Sequence, residues 1–408
     1  MSKPKLALIP SGYKGSTNPT VYSILPNDAS GDFDYERNGN ATRVRKDGLI
    51  EELTVDDTPR LDWLNSDCPS LKLEPQRTNL ITYSEDFSNG WSYFDSSIDA
   101  NVLISPSGVL NASKFIEGNG ASIKRVVNLS QSIISGNSYT FSIFAKKGER
   151  DFITLTNYTG TTDETTTFNL TDGTITSGVG SIESFSNDWF KCTRSFTATA
   201  TITSNFIAQA FINNGSGIFY QGDGTSGLYL WGAQLEQGDY PTSYIKTEGG
   251  IETRFKDECL NGGDSDLFDI TEGTFFVDAV NFGTPLNDYS MITLSDGSNI
   301  GNFVRFIYES SRIRTSVFNG TTQQDYIITG TSDNQRNKVA ITFKENEFKT
   351  YLNGVLKDTD TSGVVPTGFD RVNFSNPDGT SRNFEGKVYD TRVYDRVLTE
   401  AEAIELTT

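Results

Sequence analysis

No histidine occurs anywhere in the 408 residues. That removes Ser-His-Asp and Cys-His catalysis and every histidine-based zinc or iron site, so any metal would need oxygen ligands, with calcium the natural choice. Cysteine is scarce. Cys68, Cys192 and Cys259 are odd in number and far apart, which argues against a disulfide framework and for buried free thiols. Cations are outnumbered, Lys+Arg 34 against Asp+Glu 53, and the net charge of −19 repels phosphate backbones and anionic membrane surfaces. No nucleic-acid partner is expected. Long apolar runs are missing too: none approaches transmembrane length, and the run Leu6 to Ile9 stops at Pro10, too short for a signal peptide. No membrane insertion is expected.

What is present suits strands. Gly 37, Tyr 17 and Phe 27, among many Thr and Ser, fit short strands joined by turns, an all-β chain. At this length two or three domains are the prior expectation. Tyr139-Thr-Phe-Ser-Ile-Phe-Ala145 alternates cleanly, so Tyr139, Phe141, Ile143 and Ala145 should share one core and Phe144 should face the other way. Leu228, Leu230 and Gly232 alternate with Tyr229, Trp231 and Ala233, and both sets are largely apolar, as in a strand covered on both faces. Trp189 and Trp231 lie inside strands and read as core. Further runs at Ser122–Val127, Phe152–Thr156, Thr165–Asn169, Trp189–Thr197 and Asn205–Phe211 have the spacing of a double-sheet sandwich.

The opening Arg77-Thr-Asn-Leu-Ile-Thr-Tyr-Ser-Glu-Asp-Phe87 and the closing Gly227-Leu-Tyr-Leu-Trp-Gly-Ala-Gln-Leu-Glu236, followed by Thr242-Ser-Tyr-Ile245, bracket residues 79–247. This bracket resembles a jelly-roll, carbohydrate-binding-module-like domain that recurs in bacteriophage tail-fibre and other virion structural proteins. Residues 1–78, with few apolar residues between turns, then read as an extended β-rich N-terminal collar that cannot fold alone. Residues 248–264 are hydrophilic and read as a linker.

Residues 265–408 open on Glu272-Gly-Thr-Phe-Phe-Val-Asp-Ala-Val280 and carry hairpin signals at Lys344-Glu-Asn and Asn353-Gly354. Thr399 with Glu402 is a capping box for a terminal helix. With the close Gly386-Lys-Val-Tyr-Asp-Thr-Arg-Val-Tyr394, this pattern resembles a concanavalin A-like or laminin-G-like lectin domain. The resemblance implies a second jelly-roll sandwich in tandem with the first, and its own hairpins and helix suggest that it folds alone.

Sugar recognition needs exposed aromatic faces with amides and carboxylates nearby. Trp91, Tyr93 and Tyr158 are the glycan-binding candidates, against a core or subunit-contact role, since large aromatics bury more often than they bind. The first resemblance implies a structural calcium, for which Glu85, Asp86 and Glu236 lie in the right elements, although Trp231-Gly232 stands where such modules commonly carry an aspartate. No other cofactor is implied. Some concanavalin A-like proteins are glucanases, but no Glu-x-Asp-x-x-Glu arrangement occurs, and Glu400 and Glu402 belong to the capped helix.

The resulting expectation is a non-enzymatic phage virion protein, a fibre or appendage subunit assembled in the host cytoplasm. It would form a homotrimer, join other virion proteins and attach to host-surface glycan. The alternatives are a head fibre, capsid decoration or tail adaptor that uses its sandwiches only for assembly, and a glycan hydrolase.

Overall fold

The computed structural model describes residues 3–408 except 16, 130, 205, 284–288, 310, 311 and 332. The described residues are all-β apart from a 3-10 turn at Ser186–Asp188 and a short α-helix, Glu400–Thr407. It divides into two units: a terminal unit of Met1–Asn40, Leu53–Pro75 and Phe255–Thr408, and a middle unit of Ala41–Glu52 and Gln76–Arg254.

The middle unit is a sandwich of two six-stranded antiparallel sheets. One runs in the order Trp91–Phe94, Arg125–Asn128, Gln209–Asn213, Phe152–Tyr158, Asp163–Asn169, Thr174–Ser177. The other runs Ser96–Ile104, Leu110–Glu117, Gly227–Gln237, Ser138–Lys147, Trp189–Thr197, Ser181–Phe185. Of the strand expected at Asn205–Phe211, Asn205 lies outside the described residues, and the strand observed is Gln209–Asn213. Tyr139, Phe141, Ile143 and Ala145 fill the core with Ile153, Leu155, Phe168 and Ile212, as their alternation predicts. Phe144 turns outward against the rings of Phe185, Trp231 and Tyr244.

The alternation in Gly227–Gln237 breaks where the sequence reading expected it to continue. Ser142 pairs with Gln234 and Phe144 with Trp231, so one extra residue enters this strand. The bulge puts Ala233 and Leu235 on the core side with Leu228 and Leu230. Gly232 makes it possible: its φ is +60°, and a Cβ there would lie 2.9 Å from the Phe144 ring.

In the terminal unit, an eight-stranded sheet packs on a five-stranded one. Gly273–Asn281 lies inside the larger sheet between Arg336–Lys344 and Gly386–Tyr394. Its Phe275, Val277 and Ala279 enter the core with Ile292, Leu294, Val304 and Phe306 of the smaller sheet. Its Phe276 faces outward with Ala340 and Tyr351 against Leu398, Ala403 and Leu406, the last two from the helix Glu400–Thr407. That is why the strand is apolar on both sides. The capping box forms at Thr399, and Arg396 together with the Thr399 amide holds the Glu402 carboxyl at about 2.

Four expectations are corrected here. Residues 1–78 are not a separate collar: Leu6–Leu8 and Ser70–Leu73 pair with Gly386–Tyr394, while Ala41–Glu52 belongs to the middle unit. Leu6, Leu8, Val21, Phe33, Leu71 and Leu73 share the terminal-unit core, so residues 265–408 are an incomplete fold. Residues 248–264 are not a loose linker either, because Glu252–Arg254 pairs with Arg77–Asn79 and Glu258–Leu260 with the strand Phe33–Glu36. The pairing is invisible in composition, since strands of three or four residues carry almost no period. Cys192 and Cys259 are buried free thiols as expected, but Cys68 is exposed.

A buried ionic cluster ties the terminal unit's separate segments together. Asp257, 2% exposed, accepts from the Tyr35 hydroxyl, from Arg60 and, at 2.8 Å, from the Glu74 amide. Arg60 also donates to Glu74 at 2.6 Å, and the Arg37 guanidinium stands 3.8 Å from Asp257.

Candidate functional site

The outer face of the first middle-unit sheet is assembled in rows by strand pairing. One row holds Phe94, Arg125, Phe211, Thr154 and Thr167; the next holds Ser92, Val127, Gln209, Thr156 and Thr165. Their sequence neighbours Val126, Ala210, Leu155 and Phe168 point into the core, which fixes these rows as the outer face. Its floor is polar yet covered: Gln209 is 2% exposed, Thr154 3% and Thr156 4%. Its rim is aromatic and open, with Phe94 50% and Phe206 46% exposed.

Arg125 sits among these rings, its guanidinium carbon 5.1 Å from the Phe206 centroid and 5.9 Å from those of Phe94 and Phe211. Burial pushes its pKa down, with the Asp163 charge opposing. One Nη donates to the Gln209 carbonyl oxygen at 3.3 Å, and the Gln209 amide donates to the Phe206 carbonyl at 2.7 Å. Arg125 Nε and Thr156 Oγ1 are enclosed with no hydrogen-bond partner among the described residues. What this face offers a sugar's C–H surface is its open aromatic rim, Phe94 and Phe206, on either side of Arg125. Phe94, Arg125, Phe206 and Gln209 escaped the sequence reading, because Phe94 and Phe206 stand in different strands or turns and only the sheet brings them to one arginine.

The sequence candidates are distributed differently. Trp91 is 6% exposed, tilts against Phe87 at 4.9 Å between centroids and donates its indole N–H to the Tyr83 carbonyl at 3.0 Å. It has the core role and offers no stacking face. Tyr93 is half-buried against the same core, its hydroxyl donating to the Phe87 carbonyl. Tyr158, also half-buried, closes its own turn by donating to the Gly160 carbonyl at 2.8 Å. Its amide bonds the Phe206 carbonyl, which puts it beside the aromatic rim.

Burial, helped by the Asp86 carboxylate, raises the Tyr93 pKa to about 12. The folded state therefore keeps a proton that the unfolded chain loses near pH ~10. Below that pH the contribution is intact, and it fades as pH climbs toward the folded value. Urea midpoints should fall above pH ~10, and more gently in Tyr93→Phe. Parallel pH profiles for the two proteins would show that Tyr93 contributes nothing.

Glu85 lies in a groove of about 520 Å³ with Tyr83, Asn111 and Glu248. It accepts from Asn111 at 2.9 Å and Tyr244 at 3.0 Å, and burial raises its pKa. Asp86 stands at the exposed edge of the same groove, accepting from Ser88 and Asn89. Glu236 is fully buried and commits its oxygens to Thr242 and Gln234. Calcium needs several convergent oxygens. These three carboxylates have separate partner sets, and among the described residues no group of three or more Asp, Glu or Cys could hold a metal. They do not fit a shared calcium site.

Residues 275–403 match the family Laminin_G_3, described as the Concanavalin A-like lectin/glucanases superfamily. No curated protein matches the chain. Among solved structures, the chain is similar to the CBM40 of the Ruminococcus gnavus IT-sialidase bound to α2,3-sialyllactose, with 19% identity, 34% of this chain and 84% of that one covered, and a TM-score of 0.30. The botulinum neurotoxin type G receptor-binding domain is similar at 13% identity, covering 36% and 38%, with a TM-score of 0.28. The NanB sialidase of Streptococcus pneumoniae is similar at 13% identity, covering 35% and 25%, with a TM-score of 0.28.

Proposed function

We propose that the chain is a non-catalytic glycan-binding protein and that the outer sheet face of its middle unit holds a saccharide. The observation that carries this reading is the exposed Phe94 and Phe206 rim over the covered floor of Gln209, Thr154 and Thr156. The match of residues 275–403 to the lectin/glucanases superfamily supports glycan recognition by the terminal unit. The finer reading rests on the resemblance of the Arg77-to-Phe87 and Gly227-to-Glu236 stretches. It is a bacteriophage fibre or appendage subunit, assembled in the host cytoplasm as a homotrimer with other virion proteins. Open sheet faces bury little of a sugar, so single sites would bind weakly and attachment would come from many linked copies.

A glycan array with the full chain and a Phe94→Ala/Phe206→Ala variant tests the site. Binding should drop at least about tenfold, the size expected for losing stacking contacts. Because both rings are already about half exposed, the melting temperature should barely move. An unchanged binding profile in the variant would reject the site, and an empty array would reject the function. Release of reducing sugar from a bound polysaccharide would instead establish the hydrolase alternative.

A further inference from the structure

Two arginines, Arg305 and Arg314, stand on the outer face of the terminal unit's five-stranded sheet. Pairing sets Asn373, Thr293, Arg305, Ser316 and Asp325 in one row across all five strands. Their sequence neighbours Leu294, Val304 and Val317 enter the core, so the row faces outward. In the next row Phe303 and Phe318 stack at 4.9 Å with 8° between their planes. Arg305 lies over Phe303 at 4.2 Å, and Arg382 lies over Tyr289 at the same distance.

Arg305 is the anomaly on this face. It is half-buried, it has no ion pair or hydrogen bond with any described residue, and its Nε is enclosed without an acceptor. Burial, with Arg314 and Arg382 adding repulsion, lowers its pKa to about 10. Asp325 and Tyr289 oppose that shift, but among the described residues no carboxylate pairs with Arg305 directly, and half-burying a cation without such a pair is costly. Asp325, in the same row, is committed to Arg314 through both carboxylate oxygens. A guanidinium held on an aromatic ring, with its two Nη groups unspent among the described residues, has the fork geometry that takes a carboxylate.

We propose that this face binds a carboxylate-bearing saccharide, with Arg305 pairing the sugar carboxylate. The inference rests on the glycan-binding reading and narrows its ligand class. It also gives the terminal unit a site separate from the Phe94 and Phe206 face. Binding through Arg305 should weaken with added salt as one ion pair is screened.

The test titrates the full chain with polygalacturonate oligomers, with the same oligomers after carboxyl reduction, and with a sulfated neutral glycan. Arginine side-chain Nε–Hε resonances are followed alongside affinity. The carboxylated oligomers should bind at least tenfold more tightly than the reduced ones and shift the Arg305 resonance. Arg305→Gln should lose that preference while its melting temperature holds or rises, because an unpaired enclosed charge has been removed. Equal binding of the reduced oligomers overturns the acidic-sugar inference and leaves the general glycan reading standing. Equal, Arg305-dependent binding of the sulfated glycan overturns the carboxylate assignment. A preference retained in Arg305→Gln overturns the site. No binding of any saccharide, with no shift at Arg305, overturns both readings.

Discussion

Residues 255–408 produced without the upstream segments should give no cooperative melt and poorly dispersed amide resonances. Leu6, Leu8, Val21, Phe33, Tyr35, Leu61, Leu71 and Leu73 all belong to the core they would leave open. At roughly 1.5–3 kcal/mol for each buried side chain, about 12–24 kcal/mol of burial is lost, and the whole net stability of a domain is only about 5–15 kcal/mol. Deletion also strips Gly386–Tyr394 of its pairing with Leu6–Leu8 and Ser70–Leu73, exposing strand edges that invite aggregation. Excising the middle unit while keeping residues 1–40 and 53–75, joined to 255–408 by short flexible connections, should restore the melt. If the bare 255–408 piece melts cooperatively with dispersed resonances, the upstream strands are ornament rather than core.

Asp257→Ala should cost about 3–5 kcal/mol, the penalty of breaking a buried ion pair from one side. The carboxylate it removes serves Arg60, Tyr35 and the Glu74 amide together, with Arg37 close by, and Asp257, Arg60, Arg37 and Tyr35 are each no more than 2% exposed. Glu74 remains to hold one side of Arg60, while the Tyr35 hydroxyl and the Glu74 amide lose their acceptor. Equilibrium urea denaturation measures the loss. A change below about 0.5 kcal/mol, the range of ordinary surface substitutions, would mean that the cluster contributes no net stability. The consequence for assembly is direct: Asp257, Glu74 and Tyr35 come from three stretches of chain, so one carboxylate links segments that the middle unit separates in sequence.

Alternation and turn chemistry made the all-β class legible, since they act over a few residues. Tyr139 to Ala145 took its two faces as read, Trp189 and Trp231 were buried as read, and Asn353-Gly354 formed a tight turn with both residues at positive φ. The Thr399 capping box is equally local: its partners are three residues apart. Period tells a side chain which face of its own strand it takes. It does not tell the strand which neighbour it will find, nor what will cover that face. So the chain by itself did not show that Leu6–Leu8 and Ser70–Leu73 complete the terminal sandwich, because strands of three or four residues have too little pattern to declare a partner. Trp91 became core because Phe87 packs against its ring and the Tyr83 carbonyl takes its N–H. The bulge at Gly232 reversed the faces of the strand after it. Arg125 and Arg305 look like ordinary charges in sequence, and their standing as site residues comes from rings and rows that only sheet pairing brings together. Backbone preference and side-chain pattern, which act locally, determined the class, the turns and the cap; long-range strand pairing decided the domain boundaries, which aromatics are open, and where a ligand has something to hold.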